Sequence, residues 1–129
     1  MEQSVTACRI VVCDDQAGFR ELVSILIELE PDLELVGEAA DGREVIEVVR
    51  SLRPDVLVLD IAMPEMDGIE ALPHIREASP ETQVVVVTGY AADTVRQRAL
   101  DSGARFFIEK GVDVAALVGQ IKNACAERT

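Results

Sequence analysis

The sequence has no tryptophan, a single tyrosine, three phenylalanines and a single histidine in 129 residues. Basic residues are scarce as well: 12 Lys and Arg stand against 24 Asp and Glu, a formal net charge of −12. That balance argues against a nucleic-acid surface, which needs clustered cations to displace phosphate counterions. No apolar run approaches the ~20 residues that a bilayer-spanning helix needs. The N-terminus lacks the charged-then-apolar order of a signal peptide. The expectation is a cytoplasmic chain that touches neither membrane nor nucleic acid directly. Internal repeats, low-complexity segments and linker-like stretches are also missing, which leaves one domain over residues 1–129. The residues that remain, 49% hydrophobic and 28% charged, are an ordinary globular mixture able to bury a core.

Cysteine is sparse and odd in number. Cys8 and Cys13 lie in one strand candidate at odd separation, so their side chains point to opposite faces and cannot pair with each other. Cys125 falls in the last helix candidate. Without metal-ligand spacing, the three read as reduced thiols filling space in a core, with redox sensing as the alternative. His74 lies on the third helix candidate with no second ligand in view, and reads as a surface residue rather than a ligand or phosphocarrier.

Apolar runs alternate with helical periodicity five times. The first helix candidate carries Phe19, Leu22, Val23, Leu26 and Ile27 and stops before Pro31. A strand from Leu33 to Ala39 follows, then Asp41-Gly42 as turn and cap. Val45, Val48, Val49 and Leu52 mark the second helix, closed by Pro54. Ile69, Leu72 and Ile75 begin the third, which Pro73 should kink or weaken and which Pro80 ends. The fourth, Ala92 to Ser102, has the weakest pattern, with Val95, Ala99 and Leu100 expected inward and Gly103 as its C-terminal stop. Val114, Leu117, Val118 and Ile121 define the fifth. Strands three and four are continuous apolar runs, as expected where helices cover both faces of a sheet. The fold class is α/β: a (βα)5 doubly wound parallel sheet of the flavodoxin-like type, strand order 2-1-3-4-5.

The chemistry lies at the ends of four strand candidates. RIVVC runs into Asp14-Asp15, DVLVL into Asp60, QVVVV into Thr88 and RFFIE into Lys110. A parallel sheet lines up the C-terminal ends of its strands along one edge, so these residues converge in one crevice. Two carboxylates ~4 Å apart repel by about 4 kcal/mol at an effective dielectric near 20, a cost that a cation removes. Oxygen-only ligands point to Mg²⁺, with Mn²⁺ as the other admissible ion. Such an ion serves a phosphoryl group. Asp60 is then the nucleophile, while Lys110 and the Thr88 hydroxyl hold phosphoryl oxygens.

These residues carry a resemblance. Asp14-Asp15, the stretch D-I-A-M-P-E-M-D-G from Asp60 to Gly68, T-G-Y at Thr88 and the D-S-G-A-R-F-F-I-E-K run ending at Lys110 are similar to the receiver domain of two-component response regulators. The match covers nearly the whole chain, in order. It implies Asp60 as phosphoacceptor, Asp15 as main metal-binding acid, Asp14 as supporting acid and the Ala62 carbonyl as backbone metal ligand. Thr88 and Lys110 become the phosphate-contacting residues. Thr88 and Phe107 become the switch that reports modification to a face made by helix four, strand five and helix five. On patterning alone, Phe106 and Phe107 are equally two packed core aromatics on opposite faces. Arg96 and Arg98 contribute charge to that face or simply form a solvated helix surface.

The same resemblance implies a sensor histidine kinase or phosphotransfer protein as phosphodonor, a homodimer through the helix 4–strand 5–helix 5 face, and a switch rather than a turnover enzyme. Gly111 and Gly89 stand where the family commonly has Pro and Ala; a looser loop and open space beside the phosphate are expected. Tyr90 flanks the acceptor and is expected to hinder the attacking water. A haloacid-dehalogenase-type hydrolase would need a second acid in Asp60-Ile61-Ala62, and a flavin carrier would be repelled by Asp14-Asp15. The remaining alternative is a phosphorylation-independent pseudo-receiver that acts as a protein-interaction module. Read as given, the chain is a stand-alone receiver; an N-terminal piece of a helix-turn-helix regulator is the other reading.

Overall fold

A computed structural model describes residues 7–61, 68–89, 93–109 and 114–127. Five strands, β1 (Cys8–Cys13), β2 (Leu33–Ala39), β3 (Val56–Asp60), β4 (Gln83–Thr88) and β5 (Phe106–Glu109), alternate with five helices. The helices are α1 (Ala17–Glu28), α2 (Gly42–Leu52), α3 (Gly68–Ala78), α4 (Asp93–Asp101) and α5 (Val114–Ala126). All strand pairs are parallel, in the order β2-β1-β3-β4-β5. This is the expected doubly wound architecture.

Alternation along each strand builds two cores. Val11, Cys13, Leu57, Leu59, Val84, Val86 and Phe107 face α2, α3 and α4. Cys8, Ile10, Val12, Val56, Val58, Val85, Val87 and Ile108 face α1 and α5. Every residue of β3 is buried, because helices cover both sides of a central strand. The β1–β2 register slips between Ile10 and Val11, which pair with Leu35 and Gly37 and leave Val36 as the extra residue. A Cβ at Gly37 would lie 2.8 Å from Leu52 Cδ1 and would push that side chain aside.

The caps follow the local sequence. Asp41 accepts the Glu44 N–H at 2.8 Å, and Glu44 in return accepts the Ala40 N–H at 2.7 Å. Gly103 adopts φ 113° just past α4, the left-handed stop that glycine takes at least cost. Pro73 lies inside α3, with no N–H to offer the Ile69 carbonyl, and the helix continues to Ala78.

Three expectations need correction. Leu22, on the apolar stripe read for α1, is 41% exposed, and Val23 and Ile27 are the buried residues of that helix. Leu100 is 37% exposed rather than inward: Ala99 is the fully buried residue of α4, and Val95 packs beside it. One residue further along a helix turns by about a quarter-circle, enough to carry Leu100 off the buried face. The cysteines are not three free thiols. Cys8 is disulfide-bonded to Cys125 with Cα atoms 5.9 Å apart, leaving Cys13 as the free one among the described residues. The opposite-face argument holds for Cys8 and Cys13, but it is silent on a partner 117 residues away that packing brings to the same side.

Candidate functional site

The acidic edge forms where β1 and β3, adjacent in the sheet, end side by side. Cys13 pairs with Leu59, which places Asp14 level with Asp60. Carboxylate oxygens of Asp14, Asp15 and Asp60 all lie within 4.8 Å of one another. Asp14 and Asp60 are 1% and 3% exposed, whereas Asp15 faces solvent. Two buried acids and one exposed acid make a site that is anchored inside and open outside.

Local hydrogen bonds hold the β1–α1 loop in place. The Asp14 N–H donates to the Ala39 carbonyl at 3.1 Å, and Asp14 Oδ1 accepts the Gln16 N–H at 2.8 Å, an Asx turn into α1. Arg20 reaches back from α1 to donate to the Asp14 carbonyl at 2.6 Å, and its Nε lies 3.3 Å from Glu38. Arg20 escaped sequence reasoning; its only signal was a cation one turn into a helix that follows two acids. The neighbouring Cys13 thiol is pushed well above its ordinary range, first by burial and then by the negative charges of Asp14, Asp60, Asp41 and Glu44. Both causes disfavour its thiolate form.

Thr88, 1% exposed, ends β4 beside β3, and its ladder partner on β5 is Glu109, the residue before Lys110. Phe107 is buried at 8% against the α4 side, while Phe106 packs on the α5 side. Arg96 lies over the Phe107 ring with its guanidinium carbon 5.1 Å from the centroid. Exposed Arg96 thus has a specific partner that a helical-wheel reading cannot see. Gly89 is exposed, and a Cβ there would meet nothing within 4 Å among the described residues. Alanine would therefore also fit there. His74 is exposed on α3, as expected. Ala62, Tyr90, Lys110 and Gly111 lie outside the described residues.

Three carboxylates, oxygen donors without a soft ligand, suit a hard divalent ion of the Mg²⁺ type. If they hold one, Mg²⁺ at millimolar concentration will raise the melting temperature by several degrees, since binding to the native state alone stabilises by mass action. Asp15→Asn, which removes the exposed acid without opening the core, is expected to blunt that rise. Differential scanning fluorimetry with and without Mg²⁺ reads both; an identical shift in wild type and variant would count against Asp15 as a ligand.

The response regulator receiver domain family model matches residues 10–122. The chain is 42% identical over 123 residues to a protein-glutamate methylesterase/protein-glutamine glutaminase of Alkalilimnicola ehrlichii, covering 93% of this chain and 31% of that protein. It is 34% identical over 110 residues to YhcZ, an uncharacterized transcriptional regulatory protein of Bacillus subtilis, covering 85% of this chain and 51% of that one. Among solved structures, it is similar to a LuxR-family two-component response regulator from Aurantimonas sp., with TM-score 0.89, 33% identity, and coverage of 95% of this chain and 88% of that one. The chain spans about half the length, or less, of these curated relatives.

Proposed function

Because the chain belongs to the response regulator receiver domain family, we propose that it is a phosphorylation-activated switch whose acceptor is Asp60. The observation that carries this reading is the convergence of Asp14, Asp15 and Asp60 at the ends of β1 and β3. In the proposed step, an Asp60 carboxylate oxygen attacks the phosphorus of a phosphohistidine on a sensor histidine kinase or phosphotransfer protein. A phosphorus–oxygen bond forms, the phosphorus–nitrogen bond breaks, and its electron pair leaves with the imidazole, giving an acyl phosphate. Mg²⁺ or Mn²⁺, held by Asp14, Asp15, Asp60 and the Ala62 carbonyl, supplies charge neutralisation at the phosphoryl oxygens when bound.

The chain's own groups do the rest. Burial of Asp60 excludes bulk water from its inner side, while the exposed Asp15 side leaves an entry for the donor. The Thr88 hydroxyl donates to one phosphoryl oxygen, and Lys110 offers a mobile positive charge to another. Movement of Thr88 toward the phosphoryl group is coupled to Phe107, a two-position aromatic of the kind that a covalent charge can bias. The readout is the α4-β5-α5 face, acting on a partner or output domain or forming a homodimer.

Residues 1–129 are proposed to form one receiver domain, a switch that assists its own phosphorylation and dephosphorylation rather than an enzyme that turns over. With a net charge of −12 it makes no direct nucleic-acid contact in this reading. No helix among the described residues is long and apolar enough to cross a membrane; a cytoplasmic setting suits a kinase-fed switch.

Intact-mass analysis after incubation with acetyl phosphate tests the proposal. A single phosphoryl adduct that appears with Mg²⁺ and not in chelator is expected. No adduct, under conditions that phosphorylate a control receiver, would overturn it and leave the pseudo-receiver, a phosphorylation-independent interaction module.

A further inference from the structure

Cys8 and Cys125 sit at opposite ends of the described chain. Cys8 opens β1 on the α5 side of the sheet and is 2% exposed; Cys125 lies in the last turn of α5 and is partly exposed. Their bond therefore closes a covalent loop of almost the whole domain, with a sequence separation of 117. Nothing else covalent holds that turn. The buried contacts of α5 come from Leu117, Ile121 and Ala124, which precede Cys125. Past Ala124 the chain is tied by an ion pair of Glu127 with Arg105, and Lys122 pairs with Glu30. Both pairs are partly open to solvent, and such pairs contribute little.

We propose that Cys8 and Cys125 form a reversible redox modification site that fastens or frees the last turn of α5, with low-molecular-weight disulfides and thiols as its co-reactants. The chemistry is thiol–disulfide exchange. The more accessible Cys125 thiolate attacks one sulfur of the small disulfide; a mixed disulfide forms and one small thiolate leaves. Cys8 then attacks the Cys125 sulfur and expels the second small thiolate. Two protein thiols are oxidised, one small disulfide is reduced to two thiols, and the protons released by the cysteines end on the departing thiolates. Reduction is the same sequence reversed.

The third cysteine does not interfere. Cys13 points to the opposite core and is buried there, so neither exchange step has access to it. In a thiol-buffered cell interior, a disulfide of this kind is made and broken rather than permanent. Because α5 packs against β3, β4 and β5, its anchorage bears on the surface beside β5 whether or not Asp60 is ever phosphorylated.

The test uses the full chain equilibrated in glutathione buffers of graded oxidised-to-reduced ratio, then quenched in acid, unfolded and alkylated. Mass analysis is expected to count three alkylated cysteines at the reduced end and one, Cys13, at the oxidised end, with a Cys8–Cys125 linked peptide in the latter. Reduction should lower the melting temperature by about 15 °C, the scale expected for releasing so long a loop. It should also speed amide exchange in the last turn of α5. Cys8→Ser and Cys125→Ser should behave as the reduced form in every buffer, while Cys13→Ser keeps the full response. Three alkylated thiols at every ratio would overturn the proposal, as would a bond that survives every reducing buffer. A melting temperature indifferent to the bond would overturn it equally.

Discussion

Asp60→Asn is expected to abolish the phosphoryl adduct entirely, with acetyl phosphate and with any phosphohistidine donor. The amide oxygen is a far weaker nucleophile than a carboxylate, and Asp14 cannot replace it. Asp14 is held by its own Asx turn, with Oδ1 committed to the Gln16 N–H. Asp15 is exposed, whereas Asp60 is 3% exposed at the end of the buried β3. The same substitution has a second expected effect of opposite sign. Each pair in the cluster repels by about 3–4 kcal/mol at an effective dielectric near 20, before solvent screening of the exposed acid. Removing the Asp60 charge should thus stabilise the metal-free protein by roughly 1–2 kcal/mol, a screened fraction of that repulsion. Urea unfolding in chelator reads the gain, and intact mass reads the lost adduct. An adduct retained in Asp60→Asn would move the acceptor elsewhere. A loss of stability would mean that the carboxylate is structural, held by hydrogen bonds that outweigh repulsion.

Leu59→Ala should be the most destabilising of the simple truncations next to the site. Leu59 has no exposed surface, lies on the central strand, and pairs with Cys13 on one side and Val86 on the other. With helices on both faces of the sheet, the surroundings have little room to collapse into the gap. Truncations of this kind cost roughly 2–5 kcal/mol, and the upper half of that range is expected here. Against a typical domain stability of about 5–15 kcal/mol, the melting temperature should fall by more than 10 °C. A loss under ~1 kcal/mol in a two-state urea titration would show that the strand repacks. Since Leu59 precedes Asp60, the variant should also phosphorylate more slowly while folded, because the carboxylate loses the rigid strand that aims it.

Much of the acidic edge is legible in the sequence. Asp14, Asp15, Asp60 and Thr88 each follow an apolar run, and a parallel sheet leaves the C-terminal ends of its strands at one edge. The caps at Asp41 and Gly103 were equally plain, because their causes are local: a side chain that accepts a nearby N–H, and a backbone position that disfavours Cβ. Leu100 was misread because α4 carries few apolar residues, so its periodicity left the buried stripe undefined by about one residue. Arg96 over Phe107 was out of reach, since a cation–π contact needs the distance between a helix and a neighbouring strand, which no spacing in the chain encodes. The cysteines were misread for a similar reason. Strand alternation says which face Cys8 takes, but not that the far end of α5 returns to that face.

By itself the sequence determined the element types, their alternation and the acidic residues at the strand ends, since period, cap and turn are set by residues within a few positions of one another. The tertiary structure decided the contacts between distant segments. It brought Asp14 level with Asp60 through the β1–β3 register, buried both while leaving Asp15 in water, aimed Phe107 under Arg96, and joined Cys8 to Cys125. Those outcomes depend on how helices pack on a twisted sheet, where an offset of one residue reverses a side chain's face, and local pattern carries no measure of that distance.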